Sequence, residues 1–226
     1  MGHFSPEFFQ FLRQLKRNNN REWFAKNKQR YIDDVQQPAL DFVSDVGAGL
    51  RKISKNLVAD PRPVGGSMFR IYRDTRFAKD KSPYKTAVGI RFPHRGASDV
   101  HAPGLYLHLE PGSVFVGAGI WHPDTKTTTK IRERIVEKPA VWKRAVQTPP
   151  FSSAFELSGD SLVRPPRGFD PEHLLIDDVK RKDFIGIRVI DENTATSERF
   201  LDSFLSMCRD GAPLVRFLCD ALALPF

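Results

Sequence analysis

Residues 104–120 read GLYLHLEPGSVFVGAGI, and the fold follows from how that stretch alternates. Leu105, Leu107 and Leu109 take turns with Tyr106, His108 and Glu110, the period of two that sends successive side chains to opposite faces of a strand. Pro111–Gly112 makes a turn, and Val114 to Ile120 returns as a second strand. With Glu110 and Ser113 flanking a two-residue turn, His108 falls opposite Phe115, Tyr106 opposite Gly117, and Leu107 opposite Val116 on the other face. Pro–Gly favours a type II turn rather than the primed types common in such hairpins, and a slip of one residue would invert both faces. The hairpin therefore has one aliphatic face and one carrying Tyr106, His108, Phe115, Gly117 and Gly119. Glycine on that second face leaves room for a ligand or for another backbone, and a closely packed helix is its commoner use.

Upstream lies the basic stretch FRIYRDTRFAKDKSPYKT, residues 69–86. It reads as the start of a strand, with Phe69 and Ile71 to one side and Arg70 and Tyr72 to the other. A charged loop follows, with an extended exit enforced by Ser82–Pro83. Val88, Ile90 and Phe92 then alternate as a further strand. A loop of about a dozen residues between strands exceeds ordinary hairpin length, and such loops are often functional. Between Ser67 and Arg95 stand eight Arg or Lys residues and two Asp, a net +6 within a chain of formal charge +8.

Before this stretch the pattern is helical. Phe4–Ser5–Pro6–Glu7 starts a helix, with Ser5 as cap, Pro6 at the first position and Phe4 stapled onto Phe9. Phe8, Phe11, Leu12 and Leu15 share a face, and Asn18–Asn19–Asn20 ends it. A second helix from Asn20 turns Trp23, Phe24 and Tyr31 inward. A third, entered at Pro38, carries Leu40, Phe42, Val43, Val46 and Leu50, while Gly47 and Gly49 weaken it or admit a close neighbour. After the hairpin, His122–Pro123–Asp124 closes the sheet segment, and helices are expected over 125–137 and around Val141, Trp142 and Val146. Short strands near Phe155–Leu157 and Leu162–Val163, a brief helix from Asp170 through Ile176, and a strand over 184–190 complete the middle. Two helices end the chain, separated at Gly211. The order implies an α+β fold with an antiparallel or mixed sheet flanked by N-terminal and C-terminal helices. We expect one domain: a helical layer over 1–60, a sheet-containing core over 67–190, and C-terminal helices over 194–226.

The bulk numbers narrow the classes. The chain has 226 residues, 40% hydrophobic and 27% charged, which suits a soluble globular protein rather than a disordered one. A pI near 9.6 favours anionic partners. Cys208 and Cys219 are too few for a disulfide scaffold or a four-cysteine zinc site, and read as buried thiols. No signal-peptide pattern opens the chain and no run approaches ~18 apolar residues, so no membrane partner and a cytoplasmic location are expected.

Familiar phosphate-loop, dinucleotide and helical zinc motifs are absent. His94, His101, His108 and His122 are spaced in sevens, but Pro93, Pro103 and Pro111 exclude the helix that would align them. A metal set of His108, Glu110, His122 and Asp124 is the remaining metal reading, and His108 as a hydrogen-bonding or proton-transferring group stands ahead of it. The basic stretch carries more. Arg70, Arg73 and Arg76 recur every third residue among Tyr72, Asp74 and Phe77, followed by Lys79, Lys81 and Lys85. Arg forks and Lys point charges suit a bound anion. Each charge-assisted hydrogen bond is worth roughly 1.5–3 kcal/mol, whereas surface ion pairs contribute about 0–1 kcal/mol. An internal ion-pair network that orders the loop is the competing account.

FRIYRDTRFAKDKSPYKT resembles the signature of a bacterial and fungal family, domain of unknown function 2461. Asn19–Asn20–Arg21–Glu22–Trp23–Phe24 with Lys28 and Tyr31, the Gly104–Leu109 strand, Gly117–Ala118–Gly119 and Pro166–Arg167–Gly168–Phe169 resemble its other motifs. The resemblance spans nearly the whole chain. It brings no activity, and so no catalytic residue or cofactor. Ala78 stands where the family pattern has Ser, which argues against a nucleophile there. Taken together, the residues point to binding of a phosphate-bearing or other anionic small molecule by Arg70, Tyr72, Arg73, Asp74, Arg76, Lys79, Lys81 and Lys85, with Tyr106 and His108 beside them. His108 or Asp74 would carry a proton were the protein an enzyme. The alternatives are a nucleic-acid-binding module, using Tyr72, Phe77 and Tyr84 between cations, and an adaptor docking an acidic partner.

Overall fold

A computed structural model describes residues 2–96 and 102–226; His101, in the sevenfold histidine series, lies outside them. The chain opens with α1 (Pro6–Arg17), α2 (Arg21–Lys26) and α3 (Lys28–Tyr31). A π-helical turn over Ile32–Gln36 carries α3 directly into α4 (Gln37–Ile53). Strands β1 (Val88–Pro93), β2 (Gly104–Glu110) and β3 (Ser113–Ile120) follow. Then come α5 (Thr125–Glu137), α6 (Pro139–Gln147), α7 (Phe151–Ala154), β4 (Glu156–Ser158) and α8 (Ile176–Val179). The last elements are β5 (Phe184–Ile190), α9 (Glu192–Thr196) and α10 (Phe200–Ala221).

Among the described residues the strands make one five-stranded sheet, ordered β1-β2-β3-β5-β4, with every neighbouring pair antiparallel. The β2–β3 register pairs Tyr106 with Gly117, Leu107 with Val116 and His108 with Phe115, as the alternation implies. Gly112 takes φ 81°, the positive value that the third residue of a type II turn requires. Leu105, Leu107, Leu109, Val114, Val116 and Ala118 are buried on one face. There α10 crosses β2, β3 and β5 and packs on α4, where Phe42 stacks on Phe200 and meets Phe204 edge-on. Phe4 joins this aromatic cluster through Phe8, Phe42 and Phe200. The result is an α+β fold with α10 and the helices around it against one sheet face.

Four local expectations are corrected. The C-terminal region is one helix, with Gly211 and Pro213 inside it rather than a break at Gly211. A Cβ at Gly211 would lie 2.7 Å from the Ala118 Cβ, so this glycine marks where α10 touches the sheet. Residues 69–72 form no regular strand; bridges Met68–Ile90 and Tyr72–Tyr84 hold them instead. Ile71 is buried while Phe69 is 37% exposed, so the two do not share a side. Leu162–Val163 forms no strand, and the brief helix begins at Ile176, after a turn at Asp170–Pro171.

Candidate functional site

The basic stretch folds back on itself as a narrow ribbon. Arg73 N–H donates to the Pro83 carbonyl (2.9 Å) and Lys85 N–H to the Ile71 carbonyl (2.7 Å), leaving the charged residues between them as the loop. Two clamps fix this ribbon. Phe69 N–H donates to the Gly89 carbonyl at 2.9 Å, tying it to β1. The Asn19 carboxamide pairs with both backbone groups of Tyr84, donating to its carbonyl (2.9 Å) and accepting from its N–H (3.1 Å). Asn20 meanwhile caps α2 by accepting from Trp23 N–H at 2.9 Å. The asparagine run thus does more than end a helix: it seats the ribbon beside α1.

Between ribbon, α1 and the open sheet face lies a cleft of about 520 Å³, lined among others by Lys16, Asn19, Phe69, Arg73, Asp80, Ser82, Lys85, Tyr106 and His108. Arg73 is paired with Asp80, whose carboxylate also accepts from Ser82 Oγ (2.6 Å) and Ser82 N–H (2.9 Å). Ser82 and Arg73 together hold the Asp80 carboxyl far below the usual range. Lys85 sits half-buried with its ammonium 5.3 Å from the centre of the Phe69 ring. Burial first, and then the charge of Arg70, push its pKa down. Among the described residues no carboxylate acts on it.

The cleft floor carries Tyr106 and His108, joined by a hydrogen bond, with the Glu110 carboxylate beside them. Tyr106 Oη lies 3.1 Å from His108 Nδ1, and His108 Nε2 lies 3.6 Å from Glu110 Oε2. His108 stacks on Phe115 with ring centroids 4.6 Å apart. Burial pushes the Tyr106 phenol up to about 12, so it keeps its proton. The Glu110 carboxylate facing Nε2 can only accept, which puts the imidazole proton on Nε2 and leaves Nδ1 to accept from the Tyr106 hydroxyl. Burial lowers the His108 pKa, with Glu110 pulling the other way. Glu110 also accepts from Thr86 Oγ1 at 3.0 Å and faces Lys16 Nζ at 3.6 Å. A neutral imidazole between a phenol and a carboxylate can accept or relay a proton.

Of the residues singled out from sequence, Arg73, Lys85, Tyr106 and His108 meet in the cleft. Arg70 is exposed beside it and acts through its charge on Lys85 and Asp74. Asp74 and Arg76 close on each other at 2.7 Å in solvent, and this pairing holds Asp74 down to about 2, which keeps it ionised and unsuited to carrying a proton. Lys81 Nζ donates to the Thr75 carbonyl at 2.9 Å, and Lys79 is exposed. Tyr72 packs against Tyr84 and Phe24 at the ribbon base, outside the cleft lining. Lys16 and Asn19 were not expected here; their partners lie 65 and more residues away, beyond the reach of any local pattern.

Among the described residues no three His, Cys, Asp or Glu side chains are grouped to hold a metal ion. The set of His108, Glu110, His122 and Asp124 is broken up: His122 Nδ1 faces the buried Asp183 at 2.9 Å, and Asp124 caps α5 by accepting from Thr127 N–H. Both cysteines are buried with their thiols pushed up, Cys219 to about 12.

The profile of the family described as Conserved hypothetical protein (DUF2461) matches residues 7–217. The chain belongs to the DUF2461 family. No curated protein and no solved structure matches it. The matched span runs from α1 into α10 and so includes every DUF2461 element that lines the cleft. Among the described residues, no DUF2461 helix is long and apolar enough to cross a membrane.

Proposed function

We propose that this protein binds a small anion of the phosphate-ester class in the cleft between the basic ribbon and the open sheet face. One observation carries the reading: the half-buried Lys85 ammonium, beside Arg70, has a ring face for company and forms no ion pair with a carboxylate among the described residues. A desolvated cation without a counter-ion is unfavourable, and an anion entering the cleft would relieve it. Arg73, paired with Asp80, and Lys16, facing Glu110, line the same walls with their charge partly balanced, and the His108 Nε2–H and Tyr106 hydroxyl supply neutral polar contacts. The reading narrows the cation set, because Arg76 and Lys81 are engaged by Asp74 and by backbone carbonyls. That engagement also weakens the nucleic-acid alternative, which needs a track of free cations.

Thermal melts with and without inorganic phosphate or simple phosphate esters test it. Ligand at a hundredfold excess over Kd stabilises by about 2.7 kcal/mol, a shift a melt resolves. Lys85→Met is expected to melt at or above the wild-type temperature in buffer, since burial and Arg70 oppose the ammonium, and to lose the anion-induced rise. Arg73→Met is expected to reduce that rise at small cost in buffer, because Ser82 still satisfies Asp80. A wild type unmoved by every anion, with Lys85→Met melting lower, would make the ribbon an architectural element and overturn the reading.

A further inference from the structure

A second hollow, of about 510 Å³, lies on the open sheet face beside the cationic cleft. Its floor runs across β2, β3 and β5, where Phe115, Gly117, Ile185 and Ile187 make an apolar surface. Phe69 and Tyr106 form a wall common to both hollows. Lys85 lines the first and Arg91 the second, and both cations approach the same Phe69 ring, at 5.3 and 5.6 Å from its centre. Arg91 Nη1 is buried and, among the described residues, has no hydrogen-bond partner. A buried donor left without an acceptor is costly, and here it stands where the apolar groove meets the cationic cleft.

Gly117 leaves part of the groove floor without a side chain. A Cβ at Gly117 would meet only Tyr106 and Ile187, at 3.4 Å or more, so neither sterics nor a positive φ demands glycine there. Gly119, at φ 128°, differs: its backbone conformation itself favours glycine. The bare Cα of Gly117 therefore serves the space above it.

We propose that the bound ligand is an amphiphile, a phosphate monoester whose phosphate lies at the Phe69 wall between Lys85 and Arg91 and whose apolar body lies along β3 and β5 over Gly117. This deepens the anion-binding reading and rests on it. Charge complementarity selects this occupant: the groove is apolar along its floor and ends at the Arg91 guanidinium, whose Nη1 lacks an acceptor among the described residues, which matches a molecule with one anionic end.

Calorimetric titration of the full chain with inorganic phosphate, with butyl, hexyl and octyl phosphate, with 1-naphthyl phosphate and with octanol tests the proposal, all below micellar concentrations. Affinity is expected to rise about fourfold per methylene along the alkyl series, and 1-naphthyl phosphate is expected to bind more tightly than inorganic phosphate. Gly117→Leu is expected to remove the gain of the esters over inorganic phosphate and leave inorganic phosphate binding unchanged. Should that variant not fold, the ester series on the wild type decides alone. Inorganic phosphate binding as tightly as octyl phosphate would overturn the amphiphile and leave the anion site standing. Octanol binding as tightly as octyl phosphate would overturn the anion site, and silence from every probe would overturn both. A wild-type dimer that Gly117→Leu dissociates would seat a second copy on this face and overturn the proposal.

Discussion

His108 lies face to face with Phe115 and accepts a hydrogen bond from the Tyr106 hydroxyl on Nδ1, and its burial opposes a charge that Glu110 favours. The net effect lowers its pKa in the folded protein. As pH falls through about 6.5 the unfolded chain binds this proton before the folded one does, so stability declines from there downward until the folded His108 also titrates. Above about 6.5 the group is neutral in both states and contributes no slope. Chemical-denaturation curves from pH 7.5 to 5 should therefore show a shallower acid-side loss for His108→Gln than for the wild type; an unchanged or steeper loss would contradict the burial argument. Tyr106 and His108 can be placed on one face from alternation alone. Arg91 obeys the same alternation, yet it reads as one more cation among eight, because nothing local tells which guanidinium will bury a nitrogen that has no acceptor among the described residues. Phe69 is misread for the opposite reason: with bridges instead of a continuous ladder, period two does not govern it.

At the scale of elements, glycines separate by what faces them. In α4 a Cβ at Gly47 would meet Arg51 and Ala59 at 3.6 and 3.7 Å, which is ordinary contact, whereas at Gly49 it would fall 2.3 Å from Leu205 of α10. Gly47 only weakens its helix, and Gly49 admits a neighbour. Gly47→Ala should then stabilise by about 0.5–1 kcal/mol through the glycine penalty alone. Gly211→Ala gains about 1 kcal/mol of helix propensity but drives a methyl against Ala118, and overpacking costs typically about 1–3 kcal/mol. Urea unfolding should find Gly47→Ala more stable than wild type and Gly211→Ala less; equal behaviour would remove the distinction. The same contact explains why the sequence suggests two C-terminal helices. Glycine followed by proline is a local stop signal, but Leu214, Val215, Phe217 and Leu218 are buried only if the helix runs on, and that tertiary gain prevails.

Across the whole molecule, α10 and the helices packed on it lie against one side of the sheet, and the two hollows open on the other, where the end of α1 borders the first. The order of elements conveys the fold class because runs of helix, then strand, then helix leave few alternatives. The hollows are not conveyed, since they depend on α1, the ribbon and β5 converging from distant parts of the chain. The strands separate two demands at the resolution of a single residue. Leu105, Leu107, Leu109, Val114, Val116 and Ala118 point to the core, while Tyr106, His108, Phe115 and Gly117 point to the open face. A saturation library over 104–120, sorted once for cellular abundance and once for capture on an immobilised alkyl phosphate, should thus give two interleaved signals of period two. The core positions would depress abundance, by about 2–5 kcal/mol of stability for Leu→Ala, and the alternate positions would depress capture at undiminished abundance. Neighbours in sequence would then be strangers in phenotype, and binding preference could be re-engineered along this hairpin without drawing down the stability of the fold.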